Sequence, residues 1–146
     1  MCPLTCRLND RLDEGRSRRS RPLHAYTAAM VSATCHCGAV AIDLASAPTE
    51  VTDCNCSICR RYGVLWAYFS PRQVTVRSAA DTQTYAWSQR TTIFHRCPTC
   101  GCTTHWSPAD PARDHMGVNA RLLPPEVLAS ARVRHLDGAD TDEYLD

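Results

Sequence analysis

Three short cysteine blocks constrain this chain more than any other feature: Cys35-His36-Cys37, Cys54-Asn55-Cys56-Ser57-Ile58-Cys59 and Cys97-Pro98-Thr99-Cys100-Gly101-Cys102. Each is spaced to chelate. In an extended segment residues i and i+2 share a face, so Cys35 and Cys37 can present two sulfurs to one side. In the third block Pro98 presets a turn and Gly101 lets the chain curl until two sulfurs converge. Neither pair alone completes a tetrahedral centre, so the fold must bring blocks together.

Ten cysteines in 146 residues mean either a disulfide scaffold or a metal, and the redox compartment decides between them. The segment from Leu23 to Thr34 is too short and too polar for the apolar stretch of an export signal. Nothing approaches the roughly 18 apolar residues of a membrane span. A reducing cytoplasm is therefore expected, and with it metal. A structural zinc takes four tight ligands, and two dithiol pairs from distant segments supply them: Cys35, Cys37, Cys97 and Cys100. The middle block then offers Cys54, Cys56 and Cys59, and three protein ligands with an open position are what a catalytic zinc keeps. Spacing leaves other pairings open. The middle block can join either outer pair, or one four-cysteine zinc can stand alone with the remaining cysteines buried.

The rest of the composition narrows the chemistry. All 16 basic residues are arginine, so lysine Schiff-base and lysine general-base mechanisms are excluded. The formal charge is +1, and metal-bound thiolates lower it further. Such a domain gives no reason to expect a nucleic-acid partner. Residues 1–29 carry six arginines and little apolar periodicity and read as a disordered, solvated tail. Met30 stands as an alternative start, which would make Cys2 and Cys6 irrelevant.

From residue 30 to 146 one domain is expected, with mostly period-two patterning bounded by turn residues. Strands are predicted at Ala39–Ala45, Val64–Phe69, Gln73–Arg77, Thr82–Trp87, Thr91–Arg96, Thr103–Trp106 and His115–Leu122. A helix is predicted at Glu126–Ala131, after Pro124-Pro125, and a single helical turn at Ser57–Tyr62. The fold class is mainly β: an antiparallel domain with one or two short helices.

The segments Cys-His-Cys-Gly-Ala-Val (35–40), Cys-Asn-Cys-Ser-Ile-Cys-Arg (54–60), Cys-Pro-Thr-Cys-Gly-Cys (97–102) and Val-Asn-Ala-Arg-Leu-Leu (118–123) resemble the glutathione-dependent formaldehyde-activating enzyme and centromere protein V family. The resemblance covers about residues 33–137. It implies a zinc-bearing β-tent, with a four-cysteine site from the outer blocks and a three-cysteine site from the middle one. It also implies synthesis of S-(hydroxymethyl)glutathione, a carbon–sulfur lyase reaction run in the bond-forming direction. Glutathione and a small aldehyde would then be the partners, with no membrane involved.

On that reading Arg60 and Arg61 are candidates to pair with glutathione carboxylates. On the strand containing Val118, Ala120 and Leu122 would face the core with it, and the polar pair Asn119 and Arg121 would point into a ligand cleft. His36, His95 and His105 are read as surface or supporting histidines, Cys102 as a small buried residue, and Trp66, Tyr68, Trp87 and Trp106 as core. The competing function is a non-catalytic zinc module that binds glutathione or a protein partner; a zinc-ribbon nucleic-acid binder is disfavoured by charge. Deleting residues 1–29 is expected to leave melting temperature and metal content unchanged, and a fall of more than a few degrees in a melting experiment would show that the segment packs on the domain.

Overall fold

The computed structural model describes residues 30–146; the arginine-rich segment before them lies outside the described residues. In chain order the strands are β1 (Val31–Thr34), β2 (Val40–Leu44), β3 (Glu50–Cys54), β4 (Trp66–Phe69), β5 (Val74–Ser78), β6 (Gln83–Trp87), β7 (Thr92–Arg96), β8 (Thr103–Pro108), β9 (Met116–Asn119) and β10 (Arg132–Leu136). Two short helices, α1 (Cys59–Tyr62) and α2 (Pro125–Ser130), interrupt them. The strands form two sheets, β1-β2-β5 and β10-β3-β4-β9-β8-β7-β6. Among the described residues no helix is long and apolar enough to cross a membrane.

Period-two patterning explains the smaller sheet. Val31 and Ala33 of β1 and Val40, Ile42 and Leu44 of β2 are buried, while Ser32 and Asp43 pair across the outer face. There Ser32 Oγ donates to Asp43 Oδ1 at 2.6 Å and Arg77 of β5 forms an ion pair with the same carboxylate. The inner face packs on Val51, Ala67, Val118 and Val127 to make the main core. Truncating a fully buried member such as Ile42 to alanine would cost about 2–5 kcal/mol.

The larger sheet is covered on both faces at its centre, which is why all four residues of β9 are buried. Alternation along β4 sends Ala67 and Phe69 to the main core and Trp66 and Tyr68 to a second cluster on the opposite face. The cross-strand register continues that face through Gly117, Trp106 and Phe94. Gly117 has a specific role in it: a β-carbon there would overlap the Trp106 indole. The bare backbone lets the indole lie against the sheet.

The mainly β architecture and both short helices agree with the sequence reading, but four features differ. Strands β1, β3 and β10 had no counterpart among the predicted strands. β3 buries two adjacent residues, Val51 and Thr52, in place of a clean alternation, and β10 is an arginine-containing edge strand. β10 also pairs with β3 in parallel, the exception in an otherwise antiparallel pair of sheets. The strand predicted to reach Leu122 stops at Asn119, and Ala120–Leu122 turns as a 3-10 helix. Finally, Cys35 and Cys37 occupy the tight β1–β2 turn, closed by Gly38 N–H to Cys35 O, and not an extended segment.

On the core face of β7 and β8, His95 and His105 stack at 4.1 Å. His95 is hydrogen-bonded at both ring nitrogens, to Thr82 and Ser107, and His105 to Thr104. Burial, and then the neighbouring His95, push the His105 pKa down to about 3. The unfolded chain therefore binds a proton that the folded chain refuses between roughly pH 6.5 and about 3, so stability falls as pH drops through that window. Melting temperature is expected to decline less steeply from pH 7 to 5 in His105→Gln than in the parent; protonation of the cysteines is common to both. Identical slopes would show that His105 does not contribute.

Candidate metal centre and its cavity

Folding brings the seven candidate cysteines into two separate groups, Cys35, Cys37, Cys97 and Cys100, and Cys54, Cys56 and Cys59, with the sulfurs of each group within 4.8 Å of one another. All eight described cysteines are free thiols. In the first group Cys37 Sγ lies 3.6 Å from both Cys35 Sγ and Cys97 Sγ. That is far beyond the roughly 2.05 Å of a disulfide. It approaches the spacing of about 3.8 Å between sulfurs of a tetrahedral centre with 2.3 Å metal–sulfur bonds. The donor set and its spacing fit a zinc-type thiolate centre.

Two turns from different sheets build this group. Val40 N–H donates to Cys35 Sγ at 3.3 Å within the β1–β2 turn. In the β7–β8 turn Gly101, at φ 74°, closes a hydrogen bond from its N–H to Cys97 O. Backbone N–H groups of Cys102 and Cys37 lower the Cys100 pKa to about 5, and the N–H of Cys100 lowers that of Cys97. These backbone donors favour the thiolate, the form that binds metal, at Cys100 and Cys97, whereas the neighbouring sulfurs push the Cys37 thiol up. Cys102 stays outside the group and packs against the main core.

The second group comes from one short loop. Cys54 ends β3, Cys56 lies in the bend and Cys59 opens α1. Trp66 Nε1–H donates to Cys59 Sγ at 3.1 Å, fixing that buried sulfur from the sheet side. From the other side the C-terminal turn closes over the loop. Asn55 Nδ2 donates to Asp137 Oδ1 at 2.7 Å, and Ala139 N–H donates to Asn55 Oδ1 at 2.9 Å. Gly138 approaches so closely that a β-carbon there would stand 2.6 Å from Cys54 Sγ.

The three-cysteine loop opens into a cavity of about 580 Å³, within the usual range for small-molecule pockets. Its polar wall is the loop itself with Arg60, together with Gly138, Ala139 and Asp142 of the C-terminal turn. Its other wall is the sheet face carrying Trp66, Tyr68, Phe94 and Trp106, with Trp87 and Ser88 at the end of β6. Burial pushes the Tyr68 hydroxyl well above its ordinary pKa, so it keeps its proton. Beside Trp87 the chain runs through Ser88, Gln89 and Arg90 at φ 50°, 54° and 67°, a left-handed path that costs a non-glycine residue about 1–2 kcal/mol each.

Of the four candidate glutathione contacts, Arg60 lines this cavity and three are elsewhere. Arg61 is exposed and donates from Nη1 to Ser57 O. Asn119 is buried, donates from Nδ2 to Thr103 O, and accepts from Arg121 N–H as the cap of the 3-10 turn. Arg121 is exposed on that turn. The alternation invoked for this pair fails because the strand ends at Asn119. Conversely, Trp66, Tyr68, Trp87 and Trp106, read from the sequence as core, all border the cavity. The signal was the aromatic face shared by Trp66 and Tyr68 around the small Ala67. Nothing local in the sequence marked Gly138 or Asp142.

A family model described as glutathione-dependent formaldehyde-activating enzyme matches residues 30–133. The chain belongs to this family. It is also similar to a protein from Rhodobacter sphaeroides whose crystal structure is known, at 32% identity and a TM-score of 0.57, covering 70% of this chain and 98% of that one. The family match includes both cysteine groups and the aromatic face, and it stops before the turn that carries Gly138 and Asp142.

Two substitutions test the division of the cysteines. Cys97→Ser removes one of the four clustered sulfurs, and if they hold a structural metal it is expected to lower the melting temperature by roughly 10 °C or more, since such a metal contributes folding free energy directly. Gly138→Ala should instead reduce metal bound at the second group, by crowding Cys54, with a much smaller change in melting. Equal metal content in Gly138→Ala and parent would refute the close approach.

Proposed function

We propose that the protein is a cytoplasmic carbon–sulfur lyase that condenses glutathione with formaldehyde or a related small aldehyde, giving S-(hydroxymethyl)glutathione in the formaldehyde case. One zinc ion would be held by Cys35, Cys37, Cys97 and Cys100 and a second by Cys54, Cys56 and Cys59. The observation that carries this reading is the opening of the three-sulfur group into a ligand-sized cavity in a member of this family. Zinc on those three sulfurs would supply a metal with a free position, where direct coordination favours the thiolate form of an incoming thiol.

The surrounding side chains fit the rest of the reaction. Glutathione carries two carboxylates and one ammonium group. Arg60 offers a charge-assisted partner for a carboxylate and Asp142 one for the ammonium, both on the polar wall. Trp66 holds Cys59 in place through its N–H. The glutathione sulfur attacks the carbonyl carbon, the π pair moves to oxygen, and that oxygen takes up a proton. No net electron transfer occurs. The four-cysteine centre has a supporting role, setting the relation between the sheets.

Calorimetric glutathione titrations with zinc analysis test the assignment. Parent protein is expected to hold two zinc ions per chain and to bind glutathione. Cys56→Ser should lose the second zinc and most glutathione affinity while keeping its fold. Arg60→Ala should keep both metals and bind glutathione about tenfold more weakly. Absence of glutathione binding at millimolar concentration would overturn the thiol reading and leave a zinc module that binds a protein partner.

A further inference from the structure

The wall opposite the cysteine loop is out of proportion to formaldehyde. All three tryptophans of the chain, Trp66, Trp87 and Trp106, border the one cavity, and Tyr68 and Phe94 complete that side. Formaldehyde has a single carbon and no apolar substituent, and the polar parts of glutathione match the opposite wall with Arg60 and Asp142. Trp66, Phe94 and Trp106 are 2%, 5% and 8% exposed and belong to one buried cluster, so the residue that neither accounts for is Trp87, 37% exposed beside the cavity. Apolar surface left facing water is unfavourable in proportion to its area, so an indole at that position is best explained by a ligand that covers it.

Three structural details show that the wall is built with care. Gly117, directly across from Trp106 in the register, leaves the space in which that indole lies against the backbone. Trp87 comes from the edge strand β6 and is 37% exposed, where no packing requirement of the core calls for an indole. The turn that follows it, Ser88-Gln89-Arg90, holds a left-handed path without a glycine. Strain of this kind persists where surrounding structure enforces it and clusters at ligand-binding sites.

We infer that the aldehyde taken by this site carries a bulky apolar substituent, with an aromatic aldehyde as the fitting class, and that Trp87 and Trp106 determine this preference. The inference rests on the proposed glutathione-dependent lyase reading. The covalent step is unchanged: the thiol sulfur bonds to the carbonyl carbon, the carbon–oxygen π bond opens, and the thiol proton ends on oxygen. The substituent then lies along the sheet face while the glutathione backbone keeps to the polar wall.

Stable thioethers test it without turnover. S-benzylglutathione stands in for the adduct of an aromatic aldehyde and S-methylglutathione for that of formaldehyde. Calorimetry on the full chain is expected to give at least tenfold tighter binding of the benzyl compound, with a shift in tryptophan emission, since every tryptophan borders the cavity. In Trp87→Ala the tenfold preference should collapse toward unity while S-methylglutathione affinity holds. The exposed edge position of Trp87 should spare the fold, which a melting curve checks. Equal affinities in the parent, or a preference that survives in both Trp87→Ala and Trp106→Ala, would overturn the inference and leave the glutathione reading intact. Failure of glutathione and both thioethers to bind would overturn the two together.

Discussion

The convergence of four sulfurs from two distant turns is the constraint on which the rest of the structure depends. Cys35 and Cys37 end the hairpin of the small sheet, and Cys97 and Cys100 end a hairpin of the large one. The two sheets share no strand pairing, so their relation is set by core packing and by this cluster. A metal held there would close a loop of sixty residues and remove much of the unfolded chain's freedom. It would also fix β7 and β8, and hence Phe94 and Trp106, against the rest of the large sheet.

The second cysteine group uses that fixed sheet as a floor. It has three sulfurs where the first has four, and a cavity where the first has core. The same alternation that sends Ala67 and Val118 inward sends Tyr68 and Trp106 toward the cavity. One sheet thereby supports the main core on one face and lines the cavity on the other.

Much of this was legible in the sequence because the informative signals were local. Cysteine spacing marked the three blocks, the family resemblance divided them into two groups, and alternation located β2 and the strands from β4 to β9. What escaped was set by contacts distant in sequence. β10 is polar enough to read as loop and becomes a strand by lying parallel to β3. Gly138 closes over Cys54 because Asn55 binds the C-terminal turn across more than eighty residues. Asn119 and Arg121 were misplaced for a different reason: a 3-10 turn replaces the final residues of the strand, and a period-two pattern carries no information on where pairing stops.

The central claim is that one cysteine group is closed and the other keeps a position for a thiol. Cobalt substituted for zinc makes this visible, because each thiolate bound to tetrahedral cobalt adds sulfur-to-metal charge-transfer absorption. Titration of the cobalt-loaded protein with glutathione should intensify that absorption and saturate at one equivalent per chain, with no release of metal. A spectrum that does not change at saturating glutathione would contradict an open, thiol-accepting centre at Cys54, Cys56 and Cys59.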